Sequence, residues 1–358
     1  MLLGSAWQSA RVAGARTGGA LGAVLCTVLV GLLRLPGIAL FAATALHAES
    51  PPSAYVENPL LEPRFASVGV GIIPRYVVPT VAQDRAGFLW IATGDGLVRY
   101  DGYRFRVQER DSPDPAARTL GWIRALLGGS DGRLWIGTEW DGLAVYEPLS
   151  ERVTPCLGNS DRDGSVKPTI RALAEDGAGG IWVGSEGGGL EHVGSDCASS
   201  ANYRHSQQAG SLPDDRVSAL LIDRRGTLWV GTWSGLSRRL PGSDRFEAVF
   251  SNHDPGAGAN LAGRLVQALF EASDGRLWVG TQQGELAIID PVSGEGLLLE
   301  QAAETAGSSA VSSFVEVPGG PLWVGRSSGI EVRDPRDGRF LQRLQHDPAA
   351  PPVCPATK

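Results

Sequence analysis

Four histidines follow the first fifty residues, His192, His205, His253 and His346, and they do not recur at one phase of an inner strand. A metal-centred hydrolase or lyase needs several imidazoles or carboxylates converging on one point, so this scatter argues against such an enzyme. No Gly-x-Ser-x-Gly elbow, phosphate loop or dinucleotide fingerprint stands in a strand–helix context. The segment Asn159-Ser-Asp161-Arg-Asp163-Gly164-Ser165 sets oxygen donors at alternate positions before a glycine, as a calcium loop begins. Its twelfth position is Ile170 where a bidentate Glu is needed, and Lys167 lies nearby. A polar turn is expected there, with no metal, no cofactor and no catalytic residue assigned. The side chains left over are indoles and guanidiniums: Trp122, Trp140 and Trp233, with Arg124, Arg171, Arg216 and Arg326. Tryptophan supplies stacking area and arginine supplies fork-shaped donors. Such a set suits a sugar, or an anionic or aromatic small molecule.

The elements that must position these residues are written in a repeat. Trp90, Trp135, Trp182, Trp229, Trp278 and Trp323 each sit in a Leu/Ile-Trp-Ile/Val-Gly/Ala sequence, and they recur every 45 to 49 residues. A period this regular means stacked supersecondary units. Each unit reads as four short strands: an apolar first strand, clearest in Val217–Ile222, an Asp-x-x-Gly turn, the tryptophan strand, a third strand after a glycine, and a variable fourth. The fourth carries an aromatic or branched residue such as Phe105, Phe246 or Phe340. Aspartate bonds its own backbone in such turns and glycine takes positive φ. Four-stranded units of 40–50 residues form the blades of a propeller. The expected fold is therefore all-β, a propeller of six four-stranded blades, either a closed ring or an incomplete seven-bladed one. Alternation puts Trp229 and Gly231 on one face of the second strand and Leu228 and Val230 on the other. The six indoles belong to the core, and the glycine two places later leaves room for the next sheet.

The motif Leu-Trp-Ile/Val-Gly-Thr-x-x-Gly-Leu, with the opening stretch over residues 84–105, resembles the two-component regulator propeller repeat across about residues 65–345. The resemblance implies a sensor region outside the inner membrane, with a histidine kinase or diguanylate cyclase beyond a transmembrane helix. Family propellers commonly have seven blades, whereas six tryptophan strands occur here and His346-Asp-Pro resembles the connection at His253-Asp-Pro. We expect a truncated receptor, with 346–358 a disordered tail that starts a missing blade. Phe65-Ala-Ser-Val68 is expected to act as an outer strand closing the ring on the last blade. In propellers the turns between second and third strands, and the connections between blades, emerge around one channel mouth. Trp122, Trp140, Arg216, Trp233 and Arg326 are expected on that face, as are Arg124 and Arg171. The inner ends of the first strands are taken as Val81-Ala82-Gln83, Ile123-Arg124-Ala125, Ile170-Arg171-Ala172, Val217-Ser218-Ala219, Val266-Gln267-Ala268 and Val311-Ser312-Ser313. They hold no acid or histidine, which favours binding over a channel-mouth lyase or hydrolase. An interaction scaffold is the third reading.

Residues 1–48 differ from the rest. Arg11 and Arg16 precede the apolar run 18–33, Arg34 interrupts, and Ala43-Thr44-Ala45 has the form of a signal-peptidase site. A secretory signal or an uncleaved membrane anchor is expected, followed by a flexible proline-rich linker over 49–64, and a periplasmic body. The membrane is met only through that N-terminal segment. With Arg11, Arg16 and Arg34 set apart, the body is more acidic than the chain's formal charge of −7, which repels nucleic acid. The expected partners are a small molecule or a periplasmic protein, with a homodimer allowed. Beyond Cys26 the cysteines are Cys156, Cys197 and Cys354. Three cannot all pair in one chain, and isolated thiols are the preferred expectation; a Cys156–Cys197 bridge is the alternative.

Overall fold

The computed structural model describes residues 69, 71–73, 77–108, 120–157, 169–249, 261–299 and 309–345. The leader, the linker, the closing strand expected at Phe65–Val68, the calcium-like segment and the tail from His346 lie outside the described residues.

Among the described residues, twenty-four strands form six separate four-stranded antiparallel sheets, each ordered as its strands occur in the chain. Blades 1 to 6 span 81–107, 123–157, 170–203, 217–249, 266–299 and 311–344. No helix occurs among the described residues. The first strands of all six blades line one central channel, from Thr80 and Ala82 in blade 1 to Ser312 and Ser313 in blade 6. Its free space is about 60 Å³, room for about two waters at their share of liquid volume. The channel is therefore a packed axis rather than a ligand chamber.

Blade 4 shows why the repeat folds this way. Asp223 Oδ1 accepts from the amides of Arg225 and Thr227, and its Oδ2 accepts from Trp229 Nε1 at 2.9 Å. Gly226 takes φ of +81° to complete the turn. Asp84 and Trp90 repeat the arrangement in blade 1, with the indole bond at 2.7 Å. One carboxylate thus closes the turn and satisfies the polar atom of a core indole. In blade 3 the equivalent Asp176 instead holds His192 Nε2 at 2.7 Å.

The glycine after each tryptophan seats the first branched residue of the next blade. A Cβ added to Gly137 or Gly184 would lie 2.5 Å from Ile170 or Val217 respectively, and one added to Gly231 would lie 2.7 Å from Val266. At Gly280 it would be closer still to Val311. Five apolar clusters result, joining blades 1–2, 2–3, 3–4, 4–5 and 5–6. No cluster among the described residues joins blade 6 to blade 1. Accordingly Trp323 is only partly buried, while the other five repeat tryptophans are buried. Trp323 is thus less buried than its five counterparts, and among the described residues no apolar cluster covers its face. The nearest atoms to a Cβ at Gly325 belong to Ser313 and Ser312 of its own blade.

Two corrections concern details of the repeat. Ala82 pairs with Trp90, whereas Leu127 and Leu221 are the partners of Trp135 and Trp229. Val81-Ala82-Gln83 therefore lies three residues further along than its supposed equivalents, and Val78-Pro79-Thr80 takes the mouth end in blade 1. The shift arises because blade 1's first strand is short, three residues against six. The second correction is a disulfide. Cys156 and Cys197 are bonded, with Cα atoms 5.1 Å apart, so isolated thiols are wrong for this pair. The bridge ties the fourth strand of blade 2 to a tight turn in blade 3, where Cys197 adopts φ of +65°.

Two outcomes follow from these joints. Gly280→Ala should destabilise the propeller by about 1–3 kcal/mol through overpacking, and Gly325→Ala by clearly less, as read by urea denaturation. Replacing both bridge cysteines by alanine, which opens a loop of sequence separation 41, should remove about 2–4 kcal/mol and lower the melting temperature.

Candidate functional site

The channel mouth is assembled by one recurring hydrogen bond. The residue after the second strand donates its amide to the carbonyl just before the first strand. The pairs are Glu139 to Trp122 (2.9 Å), Glu186 to Thr169 (2.8 Å), Trp233 to Arg216 (3.1 Å), Gln282 to Leu265 (2.9 Å) and Ser327 to Ala310 (3.2 Å). In blades 1, 2 and 4 the turn at this end is braced by the threonine that ends the second strand. Thr93, Thr138 and Thr232 donate to the carbonyls of Gly96, Gly142 and Gly235 at 2.8–2.9 Å. Side chains before the first strand and after the second are thereby set next to each other.

Blade 2 brings together Trp122, Arg124, Glu139 and Trp140. The Arg124 guanidinium lies 4.8 Å over the Trp122 ring and bonds Glu139 at 2.6 Å. Trp122 also lies across the turn of blade 1, within 3.7 Å of where a Cβ at Gly94 would be. Trp140 is 61% exposed, the most exposed indole among the described residues. In blade 3, Arg171 pairs with Glu186 at 2.5 Å and lines the channel. In blade 4, Arg216 lies 4.5 Å over Trp233 and holds Asp214 at 2.6 Å, which also accepts from Ser234. Arg216 keeps the Asp214 carboxyl at about 2, well below its ordinary value, against a smaller opposing effect of burial. Because its pKa is lowered, the carboxylate stays ionised through its ordinary titration range, and the pair is lost only as pH falls toward about 2.

Six of the seven proposed residues thus lie on this face. Arg326 does not front it. It is 8% exposed, and its guanidinium donates to the carbonyls of Gly284 and Ser309 while Nε lies 2.6 Å from buried Glu331. In place of a turn-closing threonine, blade 6 has a side chain long enough to reach back and tie itself to blade 5.

Sequence reasoning overlooked the carboxylates. Glu139, Glu186, Asp214 and Glu285 each neutralise an arginine at the mouth, the last through Arg264 at 2.9 Å. A signal was present, because Arg124–Glu139 and Arg171–Glu186 share a separation of 15 residues, the same offset that links Ser218 to Trp233. Among the described residues no three of His, Cys, Asp and Glu gather as a metal requires. Ser200, His192 and Asp176 do hydrogen-bond in series, at 2.6 and 2.7 Å. Asp176 Oδ1 is meanwhile held by two backbone amides and Oδ2 occupies the place that takes the core indole in blades 1 and 4. The row braces a turn.

Comparison with known proteins agrees with the architecture. The chain aligns with the extracellular domain of BT4673 from B. thetaiotaomicron, described as a hybrid two component system, at 22% identity and a TM-score of 0.60, covering 76% of this chain and 33% of that one. The equivalent domain of BT3049 from the same organism gives 19% identity and a TM-score of 0.59, covering 75% and 34%. A catalytically inactive variant of virginiamycin B lyase from Staphylococcus aureus, solved with quinupristin, gives 14% identity and a TM-score of 0.56, covering 74% and 83%. At these identities the likeness is one of fold, and the chain spans about a third of the length of the two receptor domains. No curated protein matches the sequence significantly. The family model of the two component regulator propeller matches residues 119–140, 211–234 and 260–283. The three matched stretches each cover the first two strands of one blade, in blades 2, 4 and 5.

Proposed function

We propose that this propeller is the ligand-binding sensor part of a signal-transduction receptor, working outside the cytoplasmic membrane in the periplasm. The observation that carries the reading is the gathering of Trp122–Arg124, Trp140 and Trp233–Arg216 on the mouth face of blades 2 to 4. Each guanidinium there already has a carboxylate, so the face offers stacking surface and dense hydrogen bonding with little net charge. That combination suits a neutral polyhydroxylated molecule, a sugar, better than a free anion. Arg171, Ser218, Gln267 and Ser312 line the axis beneath, and its small volume keeps a ligand on the mouth. In a complete receptor, occupancy would bias how two receptor chains associate, since a ligand shifts an equilibrium by its differential affinity for two states. The repeat family and the extracellular receptor domains sharing the fold support this assignment.

The test is thermal shift of the purified chain against a panel of mono- and oligosaccharides. A bound sugar at a hundred times its Kd should stabilise by about 2.7 kcal/mol. The Trp140→Ala/Trp233→Ala variant should melt as the parent does without sugar and show no stabilisation with it. Equal stabilisation of parent and variant would remove the mouth from consideration.

A further inference from the structure

Between most blades an arginine spans the outer half of the joint. Arg133 of blade 2 donates to Ser195 O of blade 3 at 2.9 Å, and Arg238 of blade 4 donates to Pro291 O and Val292 O of blade 5. Arg276 of blade 5 donates to Pro335 O of blade 6 at 2.9 Å. Blade 3 has no such side chain. Where Arg133 and Arg276 stand two residues before the core tryptophan, blade 3 has Gly180. Where Arg238 pairs with Trp229 across the strands, blade 3 pairs Trp182 with His192, which is drawn onto Asp176. A cavity of about 310 Å³ opens in the space left between blades 3 and 4.

Its walls are aromatic and aliphatic, from Trp182, Ala201, Tyr203, Ile222 and Leu228, with Asp176, His192 and Arg239 as polar members. The Trp182 ring lies 4.6 Å from His192 and 5.9 Å from Tyr203. The Arg239 guanidinium stacks 5.1 Å from Trp182 and 5.7 Å from Tyr203. His192 and Asp176 are committed to each other, and His192 also to Ser200. Arg239, by contrast, has one carboxylate, Asp244 at 3.2 Å, whose side chain is 84% exposed. Its Nε has no hydrogen-bond partner. A cation pinned against rings, opposed only by a solvent-facing acid, is open to exchange for a better-placed carboxylate.

We infer that the groove between blades 3 and 4 is a second binding site, for a small planar aromatic carboxylate. The ring would lie between Tyr203 and the Ile222–Leu228 wall, with its carboxylate on Arg239 in place of Asp244. The volume is at the lower end for small-molecule pockets, enough for an acid of one or two rings. The site includes the Asp176 and Gly226 turns between first and second strands, at the strand ends away from the mouth residues, and does not rest on the sugar reading.

The experiment is isothermal titration of the full chain with benzoate and indole-3-acetate, set against benzamide and indole-3-acetamide as uncharged isosteres. The acids should bind at least tenfold more tightly than the amides. Arg239→Gln should erase that preference, and Asp244→Ala, a change at an exposed position, should tighten the acids by removing their competitor. Ala201→Phe, which fills the cavity, should abolish binding, whereas Trp140→Ala/Trp233→Ala should leave it unchanged. Absence of acid binding at millimolar concentration, or binding that ignores both Arg239→Gln and Asp244→Ala, overturns the site.

Discussion

Neighbouring blades are spaced by a contact that exists because a side chain is absent. Ile170, Val217, Val266 and Val311 each enter the space above a glycine on the preceding blade, and the bulk of a buried indole two residues earlier fills the rest. Apolar burial supplies the attraction, and close packing makes the fit intolerant of even one added carbon. Everything at the two faces follows from this spacing. Once sheets stand at a fixed separation, the ends of their strands fall on two rims, and the chemistry of the rims can vary without altering the joints.

The two rims use that freedom differently. On the turn side, carboxylates ending the first strands reach the preceding blade: Glu175 accepts from Ser130, Glu271 from the Arg224 amide, and Glu316 from Ser273. On the mouth side, carboxylates turn back to arginines of their own blade, two of which lie over Trp122 and Trp233, while Trp140 stays exposed. The first rim is knitted together and the second is left available. The groove between blades 3 and 4 is a third arrangement, produced where Gly180 and His192 replace the side chains that elsewhere bridge the joint.

Much of this was legible in the chain itself. The tryptophan period and the Asp-x-x-Gly turns give blade number, strand order and the faces of the second strand, because those features are local and repeat. The mouth residues could be placed for the same reason, their offsets from the tryptophan being fixed. What escaped reading depended on partners distant in sequence. Arg326 looks like a turn residue until Glu331, Gly284 and Ser309 are found around it. The Cys156–Cys197 pairing spans two blades, and the blade 1 register hides behind a first strand of three residues. The cavity was invisible because it comes from what two positions lack, and a deficit shows only when neighbouring joints are compared.

The bridge between Cys156 and Cys197 adds a covalent tie to a joint already closed by apolar packing. Disulfides persist in oxidising surroundings and are reduced by cytosolic thiols. Blades 2 and 3 are therefore fastened twice outside the cytoplasm, and would be held by packing alone in a reducing medium.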